Sequence, residues 1–185
     1  TDVLRVLSQT SFEPETQVLV ELDVESLYTS IPQDASLDVI EGILFNRPWG
    51  YQTPRHFILE CTRLALKKNY FQFENTIYLQ THGTSMGSTF APGTAGLYVH
   101  ALESNKILVP ENPFFSKINM WRRYIDDIIL IWQGTELEVT TFVMWLNNQD
   151  QYLKFTYTTS RTSMIFWDLE IKVQGNTLIT VNHEK

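Results

Sequence analysis

The chain has 185 residues, 43% of them hydrophobic, and carries 21 acidic against 14 basic residues for a net charge of −7. That is ample apolar material for one domain with a real core, and no apolar stretch approaches membrane-spanning length. The single cysteine, Cys61, excludes an intrachain disulfide and fits a reducing compartment; residues 1–20 lack the pattern of a secretory signal, and the acidic balance counts against a mainly basic nucleic-acid grip.

Residues 17–24 (QVLVELDV) read as a strand, followed by a turn at Ile31-Pro32-Gln33-Asp34. A helix over 34–45 places Leu37, Ile40 and Leu44 on one face. Trp49 to Thr53 is a loop, and Pro54 suits the first turn of a helix over 54–68, whose apolar stripe is Phe57, Cys61, Leu64 and Ala65 with Cys61 in the core. Lys67-Lys68 close that helix, where cations complement its dipole. Tyr70–Phe73 and Thr76–Leu79 flank Glu74-Asn75 and predict a β-hairpin.

A glycine-bearing loop at 81–87 opens a helix over 88–104, with Ser88 or Thr89 as its N-cap. Strands are expected at 118–125 and 128–132, a helix at 136–147, a strand at 152–158 and a hairpin over 163–181 turning at Gly175-Asn176. The pattern is α+β, an antiparallel sheet with helices packed mainly on one face. There is no repeat and no long linker, so residues 1–185 are expected to form a single domain; the chain stops soon after a strand, as a fragment of something larger would.

The chemistry concentrates in two places. Leu19, Val20 and Leu22 lead into Asp23, and Ile128 to Trp132 follow the pair Asp126-Asp127. Carboxylates set in apolar strand sequence are costly unless they reach water or a cation. Brought together on neighbouring strands they would form a site for a pair of divalent metals, the chemistry of nucleotidyl transfer. Taken alone, Asp126-Asp127 also fits an ordinary polar hairpin turn.

Three blocks carry a resemblance. Asp23-Val24-Glu25-Ser26-Leu27-Tyr28-Thr29-Ser30-Ile31-Pro32 resembles the first catalytic motif of reverse transcriptases, Gly83-Thr84-Ser85-Met86-Gly87-Ser88-Thr89-Phe90-Ala91-Pro92 their second block, and Arg123-Tyr124-Ile125-Asp126-Asp127 their third. The wording is most similar to Penelope-like retroelement reverse transcriptases, and Ile165-Phe166-Trp167-Asp168-Leu169-Glu170-Ile171 resembles the segment that follows in that group. The similarity runs in order from about residue 17 to residue 173.

The resemblance implies a polymerase palm: an RNA-directed DNA polymerase core taking deoxynucleoside triphosphates (dNTPs), an RNA template and a DNA primer, and acting in the nucleus. Asp23 and Asp126 would be the principal ligands of two Mg²⁺ ions, replaceable by Mn²⁺, with Asp127 and the Val24 carbonyl as accessories. Tyr28 would be a steric gate against ribose. Met86 and Gly87 would lie against the nucleotide, Gly83 and Thr84 against the template, Phe166 and Trp167 against the primer, and Lys154 would protonate pyrophosphate. The N-terminal part of the fingers, the thumb and a GIY-YIG endonuclease are expected outside this segment.

Each of these residues also has a plainer reading. Tyr28 fits core packing, the 83–92 block a helix-capping loop, Lys154 a solvated strand lysine, and Arg55, Arg63, Lys67 and Lys68 a solvated helix face. His56, His82, His100 and His183 show no metal-ligand spacing. Trp167 stands where leucine is usual in the resembled group, and Gly93 and Gly96 each cost about 1 kcal/mol in a helix relative to alanine. The competing functional readings are a palm-derived binding module without catalysis, and another two-metal transferase or cyclase.

Overall fold

The computed structural model describes residues 2–46, 53–85 and 87–182. In chain order the elements are α1 (Asp2–Gln9), β1 (Gln17–Val24), α2 (Leu27–Ser30), α3 (Gln33–Phe45), α4 (Arg55–Lys67), β2 (Tyr70–Phe73), β3 (Thr76–Leu79) and α5 (Ala91–Leu102). After these come β4 (Ile118–Tyr124), β5 (Asp127–Gln133), α6 (Glu136–Leu146), β6 (Phe155–Ser160), β7 (Ser163–Phe166), β8 (Leu169–Gln174) and β9 (Thr177–Asn182). They fall into two compact units, Thr1–Glu25 with Lys106–Lys185, and Ser26–Asn105.

The first unit is built on a four-stranded antiparallel sheet in the order β4-β5-β1-β6. Alternation along β1 and β5 sends Val18, Val20, Leu22, Ile128, Leu130 and Trp132 to one side, all fully buried. On that side Phe142 of α6 packs on Trp132 with ring centres 5.0 Å apart, and the Thr140 and Tyr157 hydroxyls lie 2.7 Å apart. Thr135 and Glu138 form a reciprocal capping box that starts α6. The opposite side of the sheet packs Leu19, Met120, Ile129 and Ile131 against Leu7 and Phe12 and against Met164, Phe166, Ile171 and Leu178 of the β7-β8-β9 sheet. Arg161 ties the strand ends together, donating to the carbonyls of Pro14, Gln17 and Gly134.

The second unit holds α2 to α5 and the β2-β3 hairpin. Glu74 and Asn75 both have positive φ, 45° and 63°, as the two-residue turn of that hairpin requires. The loop after the hairpin folds back on α2. Thr84 donates to the Tyr28 carbonyl through its N–H at 2.7 Å and its hydroxyl at 3.2 Å. The buried Gln33 amide donates to the carbonyls of Gln80 and Gly83.

Several expectations need correction. Cys61 is exposed, as are Phe57 and Leu64; the buried positions of α4 are Thr62 and Leu66, a stripe shifted from the one the apolar residues suggest. Helix α5 starts at Ala91, because Ser88 is held in a turn where its hydroxyl accepts from the Phe90 N–H, so neither Ser88 nor Thr89 is the N-cap. Strand β6 starts at Phe155, since Asp150 accepts from the Tyr152 and Leu153 N–H groups and keeps them out of the ladder. The expected hairpin over 163–181 is a three-stranded meander with an added turn at Trp167-Asp168. Helices α1 and α2 had no expectation, and most of the Trp49–Thr53 loop lies outside the described residues.

Gly83 has φ 68°, and a Cβ there would lie 2.8 Å from both the Thr29 Cα and the Tyr28 carbonyl oxygen. Those atoms are backbone and cannot rotate away. Gly83→Ala is therefore expected to cost more than the roughly 1–3 kcal/mol of backbone strain alone, whereas Gly87→Ala, with φ 95° and no atom within 4 Å, carries strain only. Thermal melts of the two variants check this, and equal losses would contradict it.

Candidate functional site

The site in the first unit follows from register. Asp23 on β1 pairs directly with Asp127 on β5, Asp127 with Tyr124 on β4, and Asp23 with Thr156 on β6. These four side chains form a row across the sheet on one face. The next row is Arg122, Ile129, Glu21 and Thr158, and the one below it is Met120, Ile131, Leu19 and Ser160. The face thus grades from an apolar core to a carboxylate rim. An open cleft of about 350 Å³ runs along it, lined by Glu21, Asp23, Asp127, Thr156, Tyr157 and Thr158.

Asp126 enters through the turn joining β4 to β5. Ile125 there has φ 57°, a left-handed conformation that a β-branched side chain rarely adopts. The Arg123 guanidinium braces it by donating to the Ile125 carbonyl at 3.1 Å, and the Val24 N–H donates to the Asp126 carbonyl at 3.2 Å. The end of β1 and the turn are therefore tied backbone to backbone. On the other side of β1 the Glu25 N–H donates to the Lys154 carbonyl at 2.9 Å.

Electrostatics mark the cluster. Burial pushes the Asp23 carboxyl above its ordinary pKa, and the nearby Asp126 and Glu25 push it further. Asp127 is raised by burial, then by Asp126 and Asp23. Glu21 is raised by burial as well, against a lowering hydrogen bond from Thr158 at 3.1 Å, with Asp127 and Asp23 adding repulsion. Among the described residues no Lys, Arg or His side chain forms an ion pair with Asp23, Asp126 or Asp127. Nor does any group of three or more His, Cys, Asp or Glu converge tightly enough to cage a metal by itself. Glu21 was not singled out in the sequence; its place two residues before Asp23 in a strand was the available signal.

The remaining candidates are dispersed. Gly83, Thr84 and Tyr28 lie together in the second unit through the hydrogen bonds described above. Gly87 has positive φ in the same loop, and Met86 lies outside the described residues. Lys154 sits between the buried Leu153 and Phe155, and its Nζ donates to the Asn147 carbonyl just past the end of α6, at 2.8 Å. Phe166 is enclosed in the core. Trp167 is exposed, and its ring packs on Tyr124 at 4.4 Å, so of that pair only Trp167 offers a surface to a partner. On α4, Lys67 is paired with Asp34 at 2.5 Å and Arg63 with Glu60 at 3.4 Å.

No protein-family model matches the chain, and no curated protein matches its sequence. Solved structures do match it. Apo telomerase from Candida tropicalis, truncated from its C-terminal domain, superposes with a TM-score of 0.67 at 17% identity over 98% of this chain and 37% of that one. Telomerase from Candida albicans in complex with a fragment of telomeric RNA gives 0.64 at 14% identity, covering 92% and 31% respectively. The Sicinivirus 3Dpol RNA-dependent RNA polymerase gives 0.56 at 14% identity, covering 91% and 37%. The chain thus spans about a third of the length of these proteins. At such identities the likeness is one of fold, and the fold is that of a polymerase palm.

Proposed function

We propose that the chain is the catalytic palm of an RNA-directed DNA polymerase, of the Penelope-like kind, which joins dNTPs to a primer 3′-hydroxyl on an RNA template. The observation that carries this reading is the direct pairing of Asp23 with Asp127 across β1 and β5, with Asp126 in the adjoining turn. The donor set suits hard divalent cations. It consists of carboxylate oxygens gathered at one open end of the sheet, with Asp23 and Asp127 raised in pKa by burial and by neighbouring acids, and no basic side chain is paired to Asp23, Asp126 or Asp127 among the described residues. Asp23 and Asp126 would hold two Mg²⁺ or Mn²⁺ ions, helped by Asp127 and the Val24 carbonyl, with substrate phosphate and water completing the coordination. When bound, such ions acidify a primer hydroxyl and offset charge on the triphosphate.

The chain's own residues supply position. The turn bond from Val24 to Asp126 and the register of β1 on β5 hold the carboxylates near one another before any ligand arrives. Gly83, Thr84, Met86 and Gly87 would form the surface against template and nucleotide, and Tyr28, its carbonyl pinned by Thr84, would select the sugar. Trp167 would face the primer. Lys154 would have to release the Asn147 carbonyl before it could protonate pyrophosphate. The fingers and thumb of a longer polypeptide, and action in the nucleus, belong to the same proposal.

The test is primer extension on a primed RNA template with Mg²⁺ or Mn²⁺, by this chain and by any longer polypeptide carrying it. DNA synthesis that falls at least about a hundredfold in Asp126→Asn is expected, the size of loss typical of removing a preorganised electrostatic group. A well-folded parent that makes no DNA in either form would move the reading to a palm-derived binding module.

The raised carboxylates give a second test. An acid whose folded-state pKa lies above its unfolded value favours the folded state at low pH, and that advantage is lost as pH rises from about 4 through the folded value. In EDTA at neutral pH, Asp127→Asn is therefore expected to melt about 1–3 °C above the parent, a figure discounted for the partial exposure of the site. The gap closes as pH falls below about 3. Saturating Mn²⁺ raises the parent's melt more than the variant's. A variant that melts below the parent in EDTA at neutral pH would rule out the repulsion.

A further inference from the structure

Arg122 is the cation of the palm face that the mechanism leaves unused. It stands on β4 in the row next to the acid pair, opposite Ile129, with Glu21 beyond on β1. Four other basic side chains of this unit have acceptors: Lys117 has Glu138 at 2.7 Å, Lys172 has Glu170 at 3.0 Å, Arg161 has three carbonyls, and Lys154 has that of Asn147. Arg122 makes no ion pair among the described residues. Its Nη1 donates to the carbonyl of its own neighbour Trp121 at 2.8 Å, and its Nε is enclosed without an acceptor. A guanidinium is always charged and carries five donors in a fixed fork, so most of this one is uncommitted.

The surroundings narrow what could fill it. The carboxylate row beside Arg122 repels small free anions, so the anion must be held by something else as well. Tyr124, two residues on along β4, and Trp167 present exposed rings packed against each other at 4.4 Å, tilted by 33°. Rings beside an unpaired guanidinium suit a nucleotide, with its base or sugar against the rings and its phosphate on the fork. We propose that Arg122 forms a phosphate subsite for the nucleic acid engaged at this face. The inference rests on the polymerase reading, and the phosphate could belong to a strand or to the incoming triphosphate.

Binding measurements separate these without requiring activity. A labelled primed RNA–DNA duplex is titrated with the parent chain and with Arg122→Met in EDTA between about 50 and 200 mM salt, and dATP with Mg²⁺ is titrated by calorimetry. If the phosphate is a strand's, Arg122→Met weakens duplex binding about tenfold, and the slope of log K against log salt falls by about 0.7–0.9. Arg122→Lys restores the slope. Loss of dATP affinity with duplex binding unchanged assigns the subsite to the triphosphate. A folded Arg122→Met that matches the parent in both titrations overturns the subsite and leaves the polymerase reading standing. A parent that binds neither duplex nor dATP removes both. Should the methionine variant not fold, Arg122→Gln is read in its place by the same criteria.

Discussion

The register of β1 on β5 is the constraint from which the rest of the site follows. Both strands are apolar on both faces in their middles, Val18 to Val20 against Leu130 to Trp132, so hydrophobic burial there does not by itself choose between one alignment and its neighbours. The ends choose. At one end Gln17 pairs with Gln133, and the buried Gln17 amide donates to the Gln133 side chain at 3.1 Å. At the other end Asp23 meets Asp127 at the open rim. A slip of one residue would set Gln17 opposite Trp132 and strand its amide in the core, at about 1–3 kcal/mol for an unsatisfied buried group. The amide pair therefore holds the aspartates opposite each other from the far end of the strand.

Magnitudes explain why such a pairing survives. Like charges directly opposite on neighbouring strands cost on the order of 1 kcal/mol or less. Each fully buried Ile or Leu beside them contributes about 1.5–3 kcal/mol, and Ile128 to Leu130 are buried completely. The core outweighs the repulsion several times over. The fold can hold an uncompensated acid pair because the strands carrying it are buried on both faces further in, at Val18 to Val20 and Ile128 to Trp132. Stability given up at the rim leaves an excess of negative charge that a bound cation can relieve, which is the usual trade at a functional site.

Much of this was legible in the sequence, for identifiable reasons. The runs into Asp23 and out of Asp127 had strand composition and polar ends, so the strands and the β4-β5 turn were readable, as were α3, α6 and the Glu74-Asn75 hairpin. The failures are tertiary. Cys61 and Phe57 share a helical stripe with Leu64, but α4 buries the face carrying Thr62 and Leu66, and composition cannot rank two such stripes. The start of β6 was misread because the Asp150 side chain captures two backbone donors, a local bond that hydrophobic alternation does not encode. Glu21 was overlooked because an acid inside an apolar run reads as a solvated position until the neighbouring strands show which row it joins.

The turn at Trp167 escaped for a different reason, and it bears on the chemistry. A bulky residue at positive φ violates the local rule by which turns are recognised, so nothing marked Trp167-Asp168 as a turn. Ile125 violates the same rule beside Asp126. These are the two bulky apolar residues with positive φ among the described positions, and the two turns meet through the contact between the rings of Tyr124 and Trp167. Strain of this kind costs on the order of 1–3 kcal/mol per residue and persists only where the surroundings over-determine the backbone. Here the surroundings are the Arg123 brace on one turn, the buried Phe166 anchoring the other, and the ring contact between them. A turn of glycines would be relaxed and free to move. A strained turn held from three sides keeps Asp126 in place, and positional accuracy at a carboxylate is worth more to such a site than the strain costs the fold.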